Sequence, residues 1–233
     1  GIIINSPSNP TGGVWSNNAI LRLLDLCKKN KNIWIFSDEC YEQLTYDKPF
    51  ESIASFAPDN NKILTFQSCS KTYAMTGWRI GYIGGNKNIV EAVAKLQGQS
   101  TSCPNSIAQY AAIEALTGDQ SCVINMKKQF LLRRDLIISL IQDIPNTVCP
   151  IPNGAFYVFV DFSYYLNTKD VKGNLIVSSV DLCTYILETT GVVTVPGDSF
   201  GCPGHIRFSY ATSEEIIKQA IILVKKTLFN LIF

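Results

Sequence analysis

The chain has 233 residues, 46% hydrophobic, 11% aromatic and 17% charged, a composition that fits a folded globular protein and excludes a disordered one. Twenty Lys and Arg against nineteen Asp and Glu leave a formal net charge of +1, too weak a field to make nucleic acid or an anionic membrane the main partner. A small-molecule ligand is the expectation, and the length permits one large domain or two small ones.

Four short runs carry a strand signal: Ile2 to Ile4, Ile33 to Phe36, Ile63 to Phe66 and Arg79 to Ile83. Each is rich in β-branched or aromatic residues and nearly free of polar alternation, as strands covered on both faces are. Between the first two the spacing predicts a helix capped by Ser16, with Ile20, Leu23, Leu24 and Cys27 on one face and Lys28 and Lys29 at its negative end. Strands joined by such crossovers predict an α/β fold with a mainly parallel sheet. The pattern turns helical from Asn86 through Ile89, Val90, Val93 and Ala94, and again from Pro104 to a stop at Gly118. Val123, Phe130, Ile137 and Ile141 keep helical spacing up to Pro145, which predicts one long helix leading from a first domain into a second. Ala155 to Phe162 reads as a strand, Val180 to Thr190 as a helix ended by Gly191, and His205 to Ser209 as an alternating strand. A capping box of Thr212 with Glu215 opens the closing helix. The expected division is 1–130 and 131–233, the second a smaller α+β domain.

No apolar run reaches the roughly 18 to 20 residues that cross a bilayer, so no membrane contact is expected. The chain starts at Gly1 on what reads as an interior strand, and such a strand needs neighbours, so sheet partners are expected upstream. His205 is the only histidine, which excludes a two-histidine metal site, and no metal is expected. A histidine triad could be built only around it, and its alternating segment reads as an ordinary strand position. The eight cysteines include no C-x-x-C pair and read as reduced, semi-buried thiols of a reducing compartment, with the cytoplasm as the expected location. Cys69 reads as a small apolar filler.

In open parallel sheets, ligands bind beyond the carboxyl ends of the strands. After the first strand comes the turn-rich loop Asn5-Ser6-Pro7-Ser8-Asn9-Pro10-Thr11-Gly12-Gly13, which presents the Asn9 amide. After the second come Asp38 and Tyr41. After the third comes Ser68-Cys69-Ser70-Lys71, with Arg79 eight residues beyond the lysine. Each has a bland reading alone, as a solvated lysine, a turn-capping aspartate or a loop asparagine. Together they are the parts that bind pyridoxal phosphate (PLP) as a Schiff base: an amine for the aldehyde, a carboxylate for the ring nitrogen, and hydroxyls with an arginine for the phosphate.

The stretches Asn5 to Gly13 (NSPSNPTGG), Ser37 to Tyr41 (SDECY) and Ser68 to Tyr82 (SCSKTYAMTGWRIGY) closely resemble the class I aminotransferases of fold type I. The resemblance extends to Gln97 to Ala112, Pro152 to Tyr157, Val195 to Gly201 and His205 to Ala211, and is greatest to the aspartate aminotransferase branch of bacteria and plants, some members of which also accept prephenate. It implies a three-layer, mainly parallel sheet, with 1–130 as the C-terminal part of the large PLP-binding domain and 131–233 as the small domain. It further implies that Lys71 forms the internal aldimine and moves the α-proton, that Asp38 pairs with the pyridinium nitrogen, and that Tyr41 and Asn9 bond the ring's phenolic oxygen. By the same resemblance Ser68, Ser70 and Arg79 hold the phosphate, and Arg207, with Asn9, grips the substrate α-carboxylate. Aspartate and 2-oxoglutarate are the implied substrates, and a homodimer is the implied assembly. Two other readings stay open: a fold type I lyase or decarboxylase, and a non-catalytic fragment lacking an N-terminal half.

Overall fold

The computed structural model describes residues 1–30 and 32–232, which divide into two units. The first holds Gly1–Ser8, Gly13–Lys127 and Asn153–Ala155; the second holds Asn9–Gly12, Lys128–Pro152 and the chain from Phe156.

The first unit is built on a four-stranded sheet in the order β1 (Ile2–Asn5), β2 (Ile35–Asp38), β3 (Ile63–Ser68) and β4 (Gly81–Gly84). β1, β2 and β3 run parallel, with Ile2 opposite Ile35 and Ile35 opposite Ile63. Helix α1 (Asn17–Lys29) makes the first crossover; the Ser16 hydroxyl accepts from the Ala19 N–H, and Ile20, Leu23, Leu24 and Cys27 are buried against Ile4, Ile35 and Ile63. Each such aliphatic side chain contributes about 1.5 to 3 kcal/mol on burial, so this seam holds α1 to the sheet. The other face departs from the expectation of strands covered on both sides. Ile3 stands 76% exposed and Phe66 37%, because the described residues set the α1 seam against the opposite face only.

β4 also departs from its predicted bounds, and it runs antiparallel to β3. Helix α2 (Cys69–Thr72) is a single turn, and without a full crossover helix the chain can only return beside β3 in the reverse direction. Ser68 therefore lies opposite Gly81, closing segment 69–80 into a loop. A Cβ at Gly81 would stand 2.8 Å from the Gln67 carbonyl oxygen, so this close approach requires glycine. Arg79 lies outside the strand, at the end of a short 3-10 turn, with a left-handed φ of 53°. Helices α3 (Lys87–Ser100) and α4 (Ser106–Thr117) begin at side-chain caps from Asn86 and Asn105. Helix α5 (Ser121–Gln142) is the single long helix its spacing predicts, and the division between units falls within it after Lys127.

The second unit carries an antiparallel sheet in the order β5 (Tyr157–Asp161), β9 (His205–Ser209) and β8 (Val195–Pro196), with a separate pair β6 (Thr168–Lys169) and β7 (Leu175–Ile176). β5 starts at Tyr157 because Ala155, with φ 56°, breaks the extended run. Ile206 and Phe208 of β9 are buried, which leaves Arg207 and Ser209 on the opposite face. Helix α6 (Ser179–Thr190) opens with a capping box of Ser178 and Asp181 and ends at Gly191. Helix α7 (Glu214–Leu228) corrects the predicted box: Ser213, not Thr212, is the cap, and its hydroxyl accepts from the Ile216 N–H at 3.3 Å. Both hydroxyls suit that position, and the later start places Glu214 and Glu215 in the positive first turn.

Candidate functional site

Because β1 and β2 are parallel with Asn5 opposite Asp38, two polar side chains meet at the strands' carboxyl ends. Asn5 Nδ2 donates to Asp38 Oδ2 at 3.1 Å, and the Cys40 N–H donates to Oδ1 at 3.3 Å. Asp38 thus holds a fixed orientation in a cavity of about 540 Å³ that it lines with Ile3, Phe36, Cys40, Phe66 and Ser68. Burial pushes the Cys40 thiol up to about 12; Asp38 adds to the rise through its charge and hydrogen bond, and Lys71 opposes it.

The turn after β2 is anchored by Glu39, a fully buried carboxylate the sequence reading did not single out. Its Oε1 accepts from the hydroxyls of Ser37 and Ser52, both at 2.8 Å, and from the Ile53 N–H at 3.3 Å. The three donors converge on Oε1, while Oε2 is buried without a hydrogen-bond partner, and they fix the turn that carries the buried Tyr41.

Lys71 stands on α2. Ser68 caps this turn, its hydroxyl accepting from the Ser70 N–H at 3.0 Å and donating to the Ile80 carbonyl at 3.2 Å. Cys69 is fully buried, as a filler should be. The Arg79 guanidinium donates to the Thr76 carbonyl at 3.0 Å and lines a separate cavity with Trp78 and Asn105. The structure therefore brings Asp38 and Ser68 into one cavity and joins Ser68 to Ser70, while Arg79 lines another.

In the second unit, Arg207 Nη1 donates to Asn9 Oδ1 at 2.7 Å. The guanidinium carbon lies 4.6 Å from the centre of the Tyr157 ring and 5.4 Å from that of Phe200. Arg207 Nε is buried without an acceptor, which costs about 1 to 3 kcal/mol that an incoming anion would recover. The sequence reading missed both aromatic partners; alternation on β5 and β9, which puts Tyr157 near Arg207 on one face, was the available signal for the first. Among the described residues, no group of three or more His, Cys, Asp or Glu could hold a metal ion, and no helix is long and apolar enough to cross a membrane.

The family model for aminotransferases of class I and II matches residues 1–222. A protein of Rhizobium leguminosarum bv. phaseoli named "Probable aspartate/prephenate aminotransferase" is 42% identical over 220 residues, covering 94% of this chain and 55% of its own length. An aspartate aminotransferase of Rhizobium meliloti strain 1021 is 40% identical over 222 residues, covering 94% and 54%. The crystal structure of the aspartate aminotransferase from Rhizobium meliloti superposes with a TM-score of 0.94 at 38% identity, over 98% of this chain and 58% of that one. The chain spans about half the length of the curated relatives it matches.

Proposed function

The chain belongs to the class I and II aminotransferases, and on that footing we propose that the whole protein is a PLP-dependent aminotransferase that moves the amino group of an L-amino acid, with aspartate the first candidate, to 2-oxoglutarate. The observation that carries the reading is the Asp38 carboxylate, oriented by Asn5 within an apolar-walled cavity. One fixed carboxylate among Phe36, Phe66 and Ile3 suits a flat heterocycle with a single ring N–H, which is the shape and chemistry of the PLP ring.

When bound, PLP supplies an electron sink that stabilises negative charge at the substrate α-carbon. Asp38 is the group that would pair with the ring N–H, and Asn5 holds its carboxyl in that orientation. Tyr41 and Asn9 donate to the ring's phenolic oxygen. Ser68 and Ser70 would bind the phosphate beside Asp38, and Arg79, which lines a separate cavity and bonds the Thr76 carbonyl, would have to turn its planar fork toward them. Lys71 Nζ is the amine that would hold the cofactor's aldehyde, and its free amine would carry the proton removed from the substrate α-carbon. Arg207 binds the α-carboxylate with Asn9 holding one edge of the guanidinium, and its unpartnered Nε supports this role. We also propose the division into a PLP-binding domain over 1–130 and a small domain over 131–233, a homodimer and a cytoplasmic location; eight free thiols accord with the last.

The test is to add PLP to the purified protein, reduce with borohydride, and map the pyridoxyl mass by peptide mass spectrometry. The reading expects it on Lys71 and expects Lys71→Ala to lose it. Transfer of ¹⁵N from aspartate to 2-oxoglutarate then separates an aminotransferase from a lyase or decarboxylase, which would release ammonia or carbon dioxide instead.

A further inference from the structure

The single histidine and one cysteine form a pair that the proposed transamination does not use. Cys202 Sγ lies 3.3 Å from His205 Nδ1, and the Pro203 carbonyl oxygen lies 3.3 Å from the same nitrogen. The ring is fixed in place, stacked on Phe159 at 5.0 Å with an interplanar angle of 28°. Its strand neighbour across the sheet is Asp161, whose charge burial opposes but whose carboxyl the hydrogen bonds of Ser163 and the charge of His205 hold below the usual carboxylate range. The loop is equally constrained: the Cys202 N–H donates to the Gly197 carbonyl at 2.9 Å, and a Cβ at Gly197 would collide with the Cys202 carbonyl oxygen.

The other thiols lack this setting. Cys27, Cys69 and Cys183 are buried, and burial pushes Cys40 up to about 12 and Cys149 to about 11. Cys103 and Cys122 are exposed, with no imidazole beside them. Cys202 alone combines partial exposure with an imidazole nitrogen 3.3 Å from its sulfur.

We propose that Cys202 is a site of thiol–disulfide exchange with a small peptide disulfide, with His205 as the base. The Cys202 proton passes to His205 Nδ1, the sulfur attacks one sulfur of the disulfide, and that S–S bond breaks as the new one forms. The departing thiolate takes up the proton, so Cys202 is oxidised to the mixed disulfide and the small disulfide is reduced to one thiol. Asp161 is the strand neighbour of His205 across the sheet. The loop bearing the adduct also carries Phe200, whose ring faces Arg207.

The experiment treats the protein, purified as its source cell makes it, with glutathione disulfide and follows the adduct at each cysteine by quenched peptide mass spectrometry. Cys202 is expected to exchange faster in the native protein than in urea, and His205→Gln is expected to slow it about tenfold while leaving Cys103 and Cys122 unchanged. The factor is modest because the gain in thiolate is partly offset by lower nucleophilicity. A native rate at Cys202 no faster than its rate in urea overturns the proposal, and so does an unchanged rate in folded His205→Gln. If that variant does not fold, the native-to-urea ratio of the unmodified protein decides alone. None of these readouts depends on the bound cofactor or on turnover, so failure here leaves the aminotransferase reading standing.

Discussion

Arg207 Nη1 donates to Asn9 Oδ1 across 2.7 Å, while Nε of the same guanidinium is buried with no acceptor. One edge of the fork is therefore fixed before any ligand arrives, and the other carries an unmet donor.

Replacing this group tests whether that donor serves the substrate. Arg207→Gln should raise KM for the amino acid and lower kcat/KM by about 2 to 5 kcal/mol, roughly 30- to 5,000-fold, the range for truncating one partner of a buried charge pair. Steady-state kinetics with aspartate checks it, and unchanged kinetics would remove Arg207 from the substrate site.

The rings flanking Arg207 make a separable contribution. Tyr157→Phe keeps a π-face 4.6 Å from the guanidinium, whereas Tyr157→Leu removes it. The leucine variant should bind a carboxylate inhibitor about 0.5 to 2 kcal/mol more weakly, and the phenylalanine variant should bind it nearly as the parent does. Equal losses in both would mean the hydroxyl, not the ring face, matters.

The α1 seam should dominate the stability of the first unit. Ile35 is 1% exposed in the cluster beneath α1, and Ile35→Ala should cost about 2 to 5 kcal/mol through lost burial and the cavity left behind. Urea unfolding measures it; a cost under about 1 kcal/mol would mean that the neighbours collapse into the space.

Asp181 gives a pH-dependent prediction. The Ser178 hydroxyl and the Val177 and Ser178 N–H groups hold its carboxyl below the ordinary carboxylate value. A group depressed in the folded state stabilises above its unfolded value, near 4, and loses that contribution as pH falls through the folded value. The gap in unfolding free energy between the parent and Asp181→Asn should be widest near neutral pH and close on acidification. A gap that does not change with pH would show that the charge of Asp181 is immaterial to the cap.

Much of this was legible in the sequence where local chemistry decides. Ser16, Gly118 and Gly191 stop or start helices by their own side chains or lack of one, and α5 is written in its spacing. What depends on partners far along the chain was less legible. Whether Thr212 or Ser213 caps α7 turns on which hydroxyl faces the helix, and the reversal of β4 turns on the shortness of α2. In the candidate site, Asp38 and Lys71 stood out by their positions after strands and by family resemblance, and Arg207 by the resemblance alone. Asn5, Glu39, Tyr157 and Phe200 did not, because each matters through a neighbour that only the folded register supplies.

The pairing of Ser68 with Gly81 carries one more consequence. Ser70, Lys71 and Arg79 all ride on a segment whose two ends are paired neighbours, so the distance between its ends is fixed by the sheet and not by the helix turn within it. A residue inserted or deleted within it would be taken up by the loop, so the pleat of β4 would stand while the spacing of Lys71 and Arg79 changed. The sheet therefore anchors both ends of this segment, whatever spacing the loop sets between Lys71 and Arg79.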